Sequence, residues 1–140
     1  MTPKEFMLAA LTCSKQALPN CRPNPPVGCV ITFQEKIIAS GYTEMPGFRH
    51  AEIMAIDNCR RKLSECELYV TLEPCSFFGR TPACTDRLIK LRPKKIYVAM
   101  LDTDIRNNGQ GIKLLKQAQL NVELGLAEAE VSEFLKPYLN

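Results

Sequence analysis

Histidine occurs once in this chain, at position 50, and a glutamate follows it two positions later as His50-Ala51-Glu52. Further on come Pro74-Cys75 and, after eight intervening residues, Cys84. One imidazole and two thiols suit a zinc ion with three protein ligands, which in tetrahedral geometry leaves the fourth position open for a water. Glu52 is then placed to act as a carboxylate beside the metal rather than on it, taking and returning a proton. The tripeptide also limits the fold. Residues two apart on a regular helix point to nearly opposite sides, so His50 and Glu52 share one cavity only at a helix's first turn. Pro46 and Gly47 before, and the apolar run from Ala51 to Ile56 after, predict a helix start there. Cys84 likewise precedes a helical pattern (Leu88, Ile89, Leu91), with Pro82 in front and Asp86 in the first turn. A helix N-terminus lowers a thiol's pKa and favours the metal-binding thiolate.

Less specific readings compete. A lone H-x-E occurs often by chance, and two of seven cysteines can be small buried hydrophobes. They can also be half of a closed structural site whose fourth ligand is another thiol, for which Cys66 is the nearest candidate. The conjunction of all the parts, in order, favours the catalytic site.

The remaining chain predicts an alternating pattern. An amphipathic helix carries Phe6, Ala10, Cys13 and Leu18 and ends before Pro19-Asn20. A proline-rich loop holding Asn24 follows. Val27 to Phe33 and Lys36 to Tyr42 read as a hairpin across Gln34-Glu35. Leu68 to Leu72 is a buried strand delivering Pro74-Cys75 at its carboxyl end, where open α/β sheets place ligands. Thr85 to Leu91 reads as helix, Lys95 to Met100 as strand, Asp102 to Gly111 as loop and Ile112 to Gln119 as helix. Val122 to Leu124 is a last strand and Ala127 to Leu139 a closing helix with Val131, Phe134, Leu135 and Tyr138 on one face. The fold class is therefore α/β, with a mixed five-stranded sheet, antiparallel in its first hairpin and parallel in its later strands.

Composition excludes several classes. Lys and Arg number 18 against 15 Asp and Glu. The basic clusters are limited to Arg60-Arg61-Lys62 and Arg92-Pro93-Lys94-Lys95, too sparse for a nucleic-acid footprint. No apolar stretch approaches the roughly 20 residues of a membrane span. The apolar run from Phe6 to Leu11 is too short for a leader, and its flank, Lys4-Glu5, has no net charge. An odd cysteine count, with two committed to metal, leaves Cys13, Cys21, Cys29, Cys59 and Cys66 as reduced thiols of a cytoplasmic protein.

H-x-E followed by P-C is the order found in zinc-dependent base deaminases, here with the second half stretched. The stretch from Tyr69 through Leu72-Glu73-Pro74-Cys75-Ser76-Phe77-Phe78-Gly79-Arg80 to Cys84 resembles the deaminase domain of the bifunctional riboflavin-biosynthesis deaminase-reductase. That domain is a member of the cytidine deaminase-like superfamily. Asn24-Pro25-Pro26-Val27-Gly28, His50-Ala51-Glu52 and Gly109-Gln110-Gly111-Ile112 match it too, in order. The resemblance covers essentially all of residues 1–140, which read as a single zinc-dependent deaminase domain with a three-layer α-β-α arrangement, and it does not extend to the reductase domain usual in the family.

The resemblance implies hydrolytic deamination of an aminopyrimidine ribosyl phosphate. Zinc would sit on His50, Cys75 and Cys84, Glu52 would be the catalytic acid-base, and backbone near Cys75 or Ala51 would supply a further substrate contact. Asn24 and Arg80 match pocket residues of the family, Arg80 suiting a phosphate. Three positions depart: Thr43 and Phe77 stand where the family has histidine, and Asp102-Thr103-Asp104 stands where it has Asp-Pro-Asn. These departures keep deamination of another nucleobase-like heterocycle, and a non-catalytic zinc-stabilised module, as alternatives. The family further implies a small phosphorylated heterocycle as partner, a homo-oligomer (dimer or tetramer) and a separate reductase acting next.

Overall fold

The computed structural model describes residues 1–139. In chain order the elements are α1 (Pro3–Ser14), β1 (Gly28–Phe33), β2 (Lys36–Tyr42), α2 (Ala51–Asn58), β3 (Glu67–Val70), α3 (Cys84–Leu91), β4 (Lys95–Val98), α4 (Gln110–Gln117), β5 (Val122–Leu124) and α5 (Glu128–Leu135). The strands form one sheet in the order β2-β1-β3-β4-β5. β1 runs antiparallel to both β2 and β3, and β3, β4 and β5 run parallel. The mixed sheet expected from the alternating pattern is therefore present. Its first hairpin turns through Gln34 (φ 50°) and Glu35 (φ 62°), both left-handed, the backbone that matches the twist of paired strands.

Side-chain alternation along the strands builds two cores. Cys29, Ile31, Leu68, Val70, Ile96 and Val98 face a layer to which α2 gives Ala51 and Ala55, α3 gives Leu88, and α4 gives Ile112 and Leu115. The opposite face presents Val30, Tyr69 and Tyr97 to Phe6, Met7 and Ala10 of α1 and to Val131 and Leu135 of α5. Helices thus cover both faces, making three layers. Tyr69 and Tyr97, paired in register between β3 and β4, stack with ring centroids 4.4 Å apart.

One glycine sets the placement of α2. A Cβ on Gly41 would lie 2.4 Å from the Ala51 carbonyl oxygen and 2.5 Å from the Ala55 nitrogen. Only glycine lets β2 accept the helix at this distance, which fixes the first turn of α2 against the sheet.

Several boundaries differ from expectation. The β3 and β4 ladders end at Val70 and Val98, short of Leu72 and Met100, yet extended pairing continues: the Glu73 N–H donates to the Met100 carbonyl at 3.0 Å. Helix α4 starts at Gln110 rather than Ile112, because the Glu73 carboxylate accepts the N–H groups of Gly109 (2.9 Å) and Ile112 (3.0 Å). Glu73 thus caps from another element a helix that has no side-chain cap of its own. Helix α5 gives way to a 3₁₀ turn over Lys136–Tyr138, where Pro137 lacks the N–H that would extend the α-helix.

Candidate active site

The site lies at the carboxyl end of β3, between the first turns of α2 and α3. His50 is the N-cap of α2, extended at φ −75° and ψ 166°, with Ala51 and Glu52 as the first two helical residues. The cap geometry turns the imidazole and the Glu52 carboxylate towards a shared space, as the two-residue spacing requires. Cys75 follows Pro74 at the strand's end, and Cys84 opens α3.

The side chains of His50, Cys75 and Cys84 converge. His50 Nδ1 lies 3.2 Å from Cys84 Sγ and 3.6 Å from Cys75 Sγ. Bonds of about 2.3 Å to sulfur and about 2.0–2.1 Å to nitrogen at a tetrahedral angle would hold such atoms about 3.6 Å apart. The donor set and its spacing fit zinc. Among the described residues no fourth His, Cys, Asp or Glu joins the cluster, which matches an open site rather than a closed structural one. Cys66, considered above as a fourth ligand, instead hydrogen-bonds the Lys62 carbonyl at 3.4 Å. All seven cysteines are free thiols.

Of the three clustered side chains, Cys75 is the one shifted towards its metal-binding form. Hydrogen bonding from Cys84 brings the Cys75 thiol down to about 5, with the His50 cation helping. The same Cys75 contact raises Cys84 well above the usual thiol value, reinforced by burial, and the hydrogen bond to Cys75 also raises His50. Burial pushes the Glu52 carboxyl up to about 7, the His50 cation opposing it. Glu52 is 4% exposed.

A cavity of about 320 Å³ opens above these groups. His50, Ala51, Glu52 and Cys75 line its floor, and Asn24, Thr43, Phe77, Arg80, Asp102 and Asp104 line its walls. Every nominated residue therefore reaches the cavity except Cys84, which is buried behind Cys75. Their conditions differ. The Thr43 hydroxyl is occupied by backbone, accepting the Val27 N–H at 3.0 Å and facing the Val27 carbonyl at 3.4 Å. Arg80 is exposed at the rim. Asp102 accepts the Asp104 N–H at 3.0 Å, and burial raises its carboxyl above the usual range.

Sequence reasoning missed four contributors. Glu73, 3% exposed, spends its carboxylate on the N–H groups of Asp102 (3.1 Å), Gly109 and Ile112. Asn107 donates to the Pro74 carbonyl at 3.1 Å and accepts the Ser76 hydroxyl at 2.7 Å, so the 102–109 loop is tied to the cysteine loop. The Thr81 hydroxyl lies 3.4 Å from His50 Nε2. Arg106 lines the cavity with its guanidinium 4.3 Å from the Phe77 ring centroid. The one signal available beforehand was Glu73, an acid ending an apolar strand directly before Pro74-Cys75.

Comparison with known proteins gives the same picture. Residues 1–100 match the family described as the cytidine and deoxycytidylate deaminase zinc-binding region. The riboflavin biosynthesis protein RibD of Aquifex aeolicus is 42% identical over 130 residues, which cover 93% of this chain but 36% of that protein. The chain thus spans little more than a third of such relatives. The diaminohydroxyphosphoribosylamino-pyrimidine deaminase of Buchnera aphidicola (subspecies Schizaphis graminum) is 34% identical over 138 residues, covering 99% of this chain and 94% of that one. Among solved structures, Acinetobacter baumannii RibD superposes with a TM-score of 0.92 at 35% identity, over 97% of this chain and 38% of that one.

Proposed function

This chain belongs to the family of cytidine and deoxycytidylate deaminases defined by their zinc-binding region, and from that membership we propose that it hydrolytically deaminates an aminopyrimidine ribosyl phosphate. Water is consumed, the ring carbon exchanges its amine for oxygen, and ammonia leaves. The observation that carries this reading is the convergence of His50, Cys75 and Cys84 with Glu52 on the floor of a cavity that has Arg80 at its rim. The name of the full-length Buchnera relative supports the substrate class.

Zinc held by His50, Cys75 and Cys84 would supply the Lewis acidity that brings the pKa of a water towards neutrality. The protein's own groups do the rest. Hydrogen bonding from Cys84 lowers the Cys75 thiol to about 5, and Cys75 and Cys84 would both hold the metal as thiolates. Glu52, with a carboxyl near 7, both accepts and returns a proton at neutral pH, the condition for a general acid-base. It would pass a proton first to a ring nitrogen and then to the departing amine. Asn24 and the Ala51 backbone line the side of the cavity where the heterocycle would lie, and Arg80 would meet the phosphate with its planar fork of donors.

We read residues 1–140 as one such domain, acting in the cytoplasm, where its thiols stay reduced. A separate reductase would take the product onward. Large apolar side chains are exposed, Phe48 at 58%, Phe78 at 75% and Ile105 at 92%, which supports assembly into a dimer or tetramer. Among the described residues no helix is long and apolar enough to cross a membrane.

Thr43, Phe77 and Asp104 favour a second reading, deamination of another nucleobase-like heterocycle. Ammonia release by the zinc-loaded protein against aminopyrimidine and pterin ribotides separates the two. Turnover of the aminopyrimidine ribotide supports the first reading, and turnover confined to another ring selects the second.

A further inference from the structure

An aspartate at position 104 places a carboxylate on the wall of a cavity read as accepting a phosphate, and the structure shows what offsets it. Arg106 grips Asp104 with two parallel bonds, Nε to Oδ1 at 3.1 Å and Nη2 to Oδ2 at 2.7 Å, and its backbone N–H reaches Oδ1 at 2.9 Å. The guanidinium also lies over the Phe77 ring, so two of the departures from the family pattern, Phe77 and Asp104, are joined by one side chain. The other acids of the cavity are engaged differently. Glu73 is spent on backbone N–H groups, Asp102 accepts from Asp104 N and Asn107, and Glu52 lies on the floor. Asp104 is the carboxylate presented at the mouth, its side chain 33% exposed.

We propose that Arg106 is a specificity-determining residue: held by Asp104 and Phe77, it neutralises the carboxylate at the cavity mouth and so admits the phosphate end of a ribotide. The loop does not need Arg106 for its shape, because Glu73 and Asn107 already fix it to the cysteine loop. Two of the five guanidinium N–H groups serve the carboxylate. The pair is net neutral, which leaves the charge of Arg80 unopposed at the rim. Losing the arginine leaves an unpaired negative charge facing an incoming phosphate, and like charges disfavour each other most where solvent is partly excluded.

This inference rests on the ribosyl phosphate reading, and its test keeps the two apart. In zinc-loaded protein, Arg106→Ala should raise KM for the phosphorylated substrate by roughly three- to tenfold. It should leave kcat and the dephosphorylated substrate nearly unchanged, and adding Asp104→Asn should restore KM. Equal losses on both substrate forms, or a loss that survives in the double variant, would overturn the role. Protection of the zinc-loaded protein against thermal unfolding by ribose 5-phosphate gives a readout independent of turnover. The parent and the double variant should be protected alike and Arg106→Ala less, whereas equal protection of all three refutes the inference. If the parent deaminates no aminopyrimidine ribotide but this order of protection holds, the substrate reading falls and the charge compensation stands.

Discussion

The backbone N–H of Cys84 points at the sulfur of Cys75, 3.1 Å away. The first amide of α3, which has no partner within its own helix, is thus satisfied by a thiol at the end of β3. A second bond in the same direction, from the Thr85 N–H to the Cys75 carbonyl at 3.2 Å, closes the cysteine loop on itself. These bonds shape the loop, and hydrogen bonding from Cys84 brings the Cys75 thiol down to about 5.

Cys75→Ser and Cys84→Ser should each lose zinc, since a hydroxyl is a poor substitute for thiolate. Because site energy is partly folding energy, the thermal midpoint of each variant should fall to that of the chelator-stripped parent. Elemental analysis showing full occupancy in both would remove these residues as ligands.

Glu52→Gln should keep zinc and fold while losing roughly 10²- to 10⁴-fold in kcat, the usual weight of a general acid-base. A second consequence concerns zinc-free protein. The Glu52 carboxyl titrates at about 7 when folded against 4.5 for the free group, so between those values the folded state binds more protons than the unfolded one. Stability then falls as pH rises through this window. Zinc-free Glu52→Gln should match the parent near pH 4.5 and exceed it at pH 8 by up to about 3 kcal/mol. Parallel pH profiles in urea denaturation would argue against a buried, titrating Glu52.

Glu73→Gln should destabilise the fold by on the order of 2–4 kcal/mol, because three backbone donors lose a charged acceptor and one meets an amide that cannot accept. Denaturant midpoints measure the loss, and amide exchange should locate it at residues 102–112. Zinc content should hold, which distinguishes this support from the ligands themselves.

Arg80→Ala should lower kcat/KM by roughly ten- to a hundredfold on a phosphorylated substrate and much less on its dephosphorylated form. Equal losses would show Arg80 to be a prop for the loop. A parent indifferent to the phosphate would favour the other heterocycle class.

Much of the floor was legible in the sequence, because it depends on local rules. The spacing of His50 and Glu52 demanded a helix start, and the chain delivers one at Ala51. Short apolar runs marked β1, β3 and β4 as strands. The walls were less legible, since their chemistry depends on partners distant in sequence or hidden in loops. Nothing around Thr43 reveals that Val27 occupies its hydroxyl. The early start of α4 depends on Glu73, more than thirty residues upstream. The pairing of Asp104 with Arg106 depends on a loop conformation without periodicity.

The loop carrying Asp104 and Arg106 is fastened from beneath by Glu73 and Asn107, while Asp104 and Arg106 border the cavity without bonding to His50, Cys75 or Cys84. Gly111 shows how tight the fastening is, since a Cβ there would meet the Pro74 carbonyl oxygen at 2.2 Å. Change is therefore permitted unevenly. Mutational drift can rewrite residues 103–106 and the facing Phe77 at little cost to the chemistry, while the anchoring positions are held by collision and burial. A scaffold of this kind can trade one substrate for another by exchanging a tetrapeptide, and directed evolution for new ring systems would begin there.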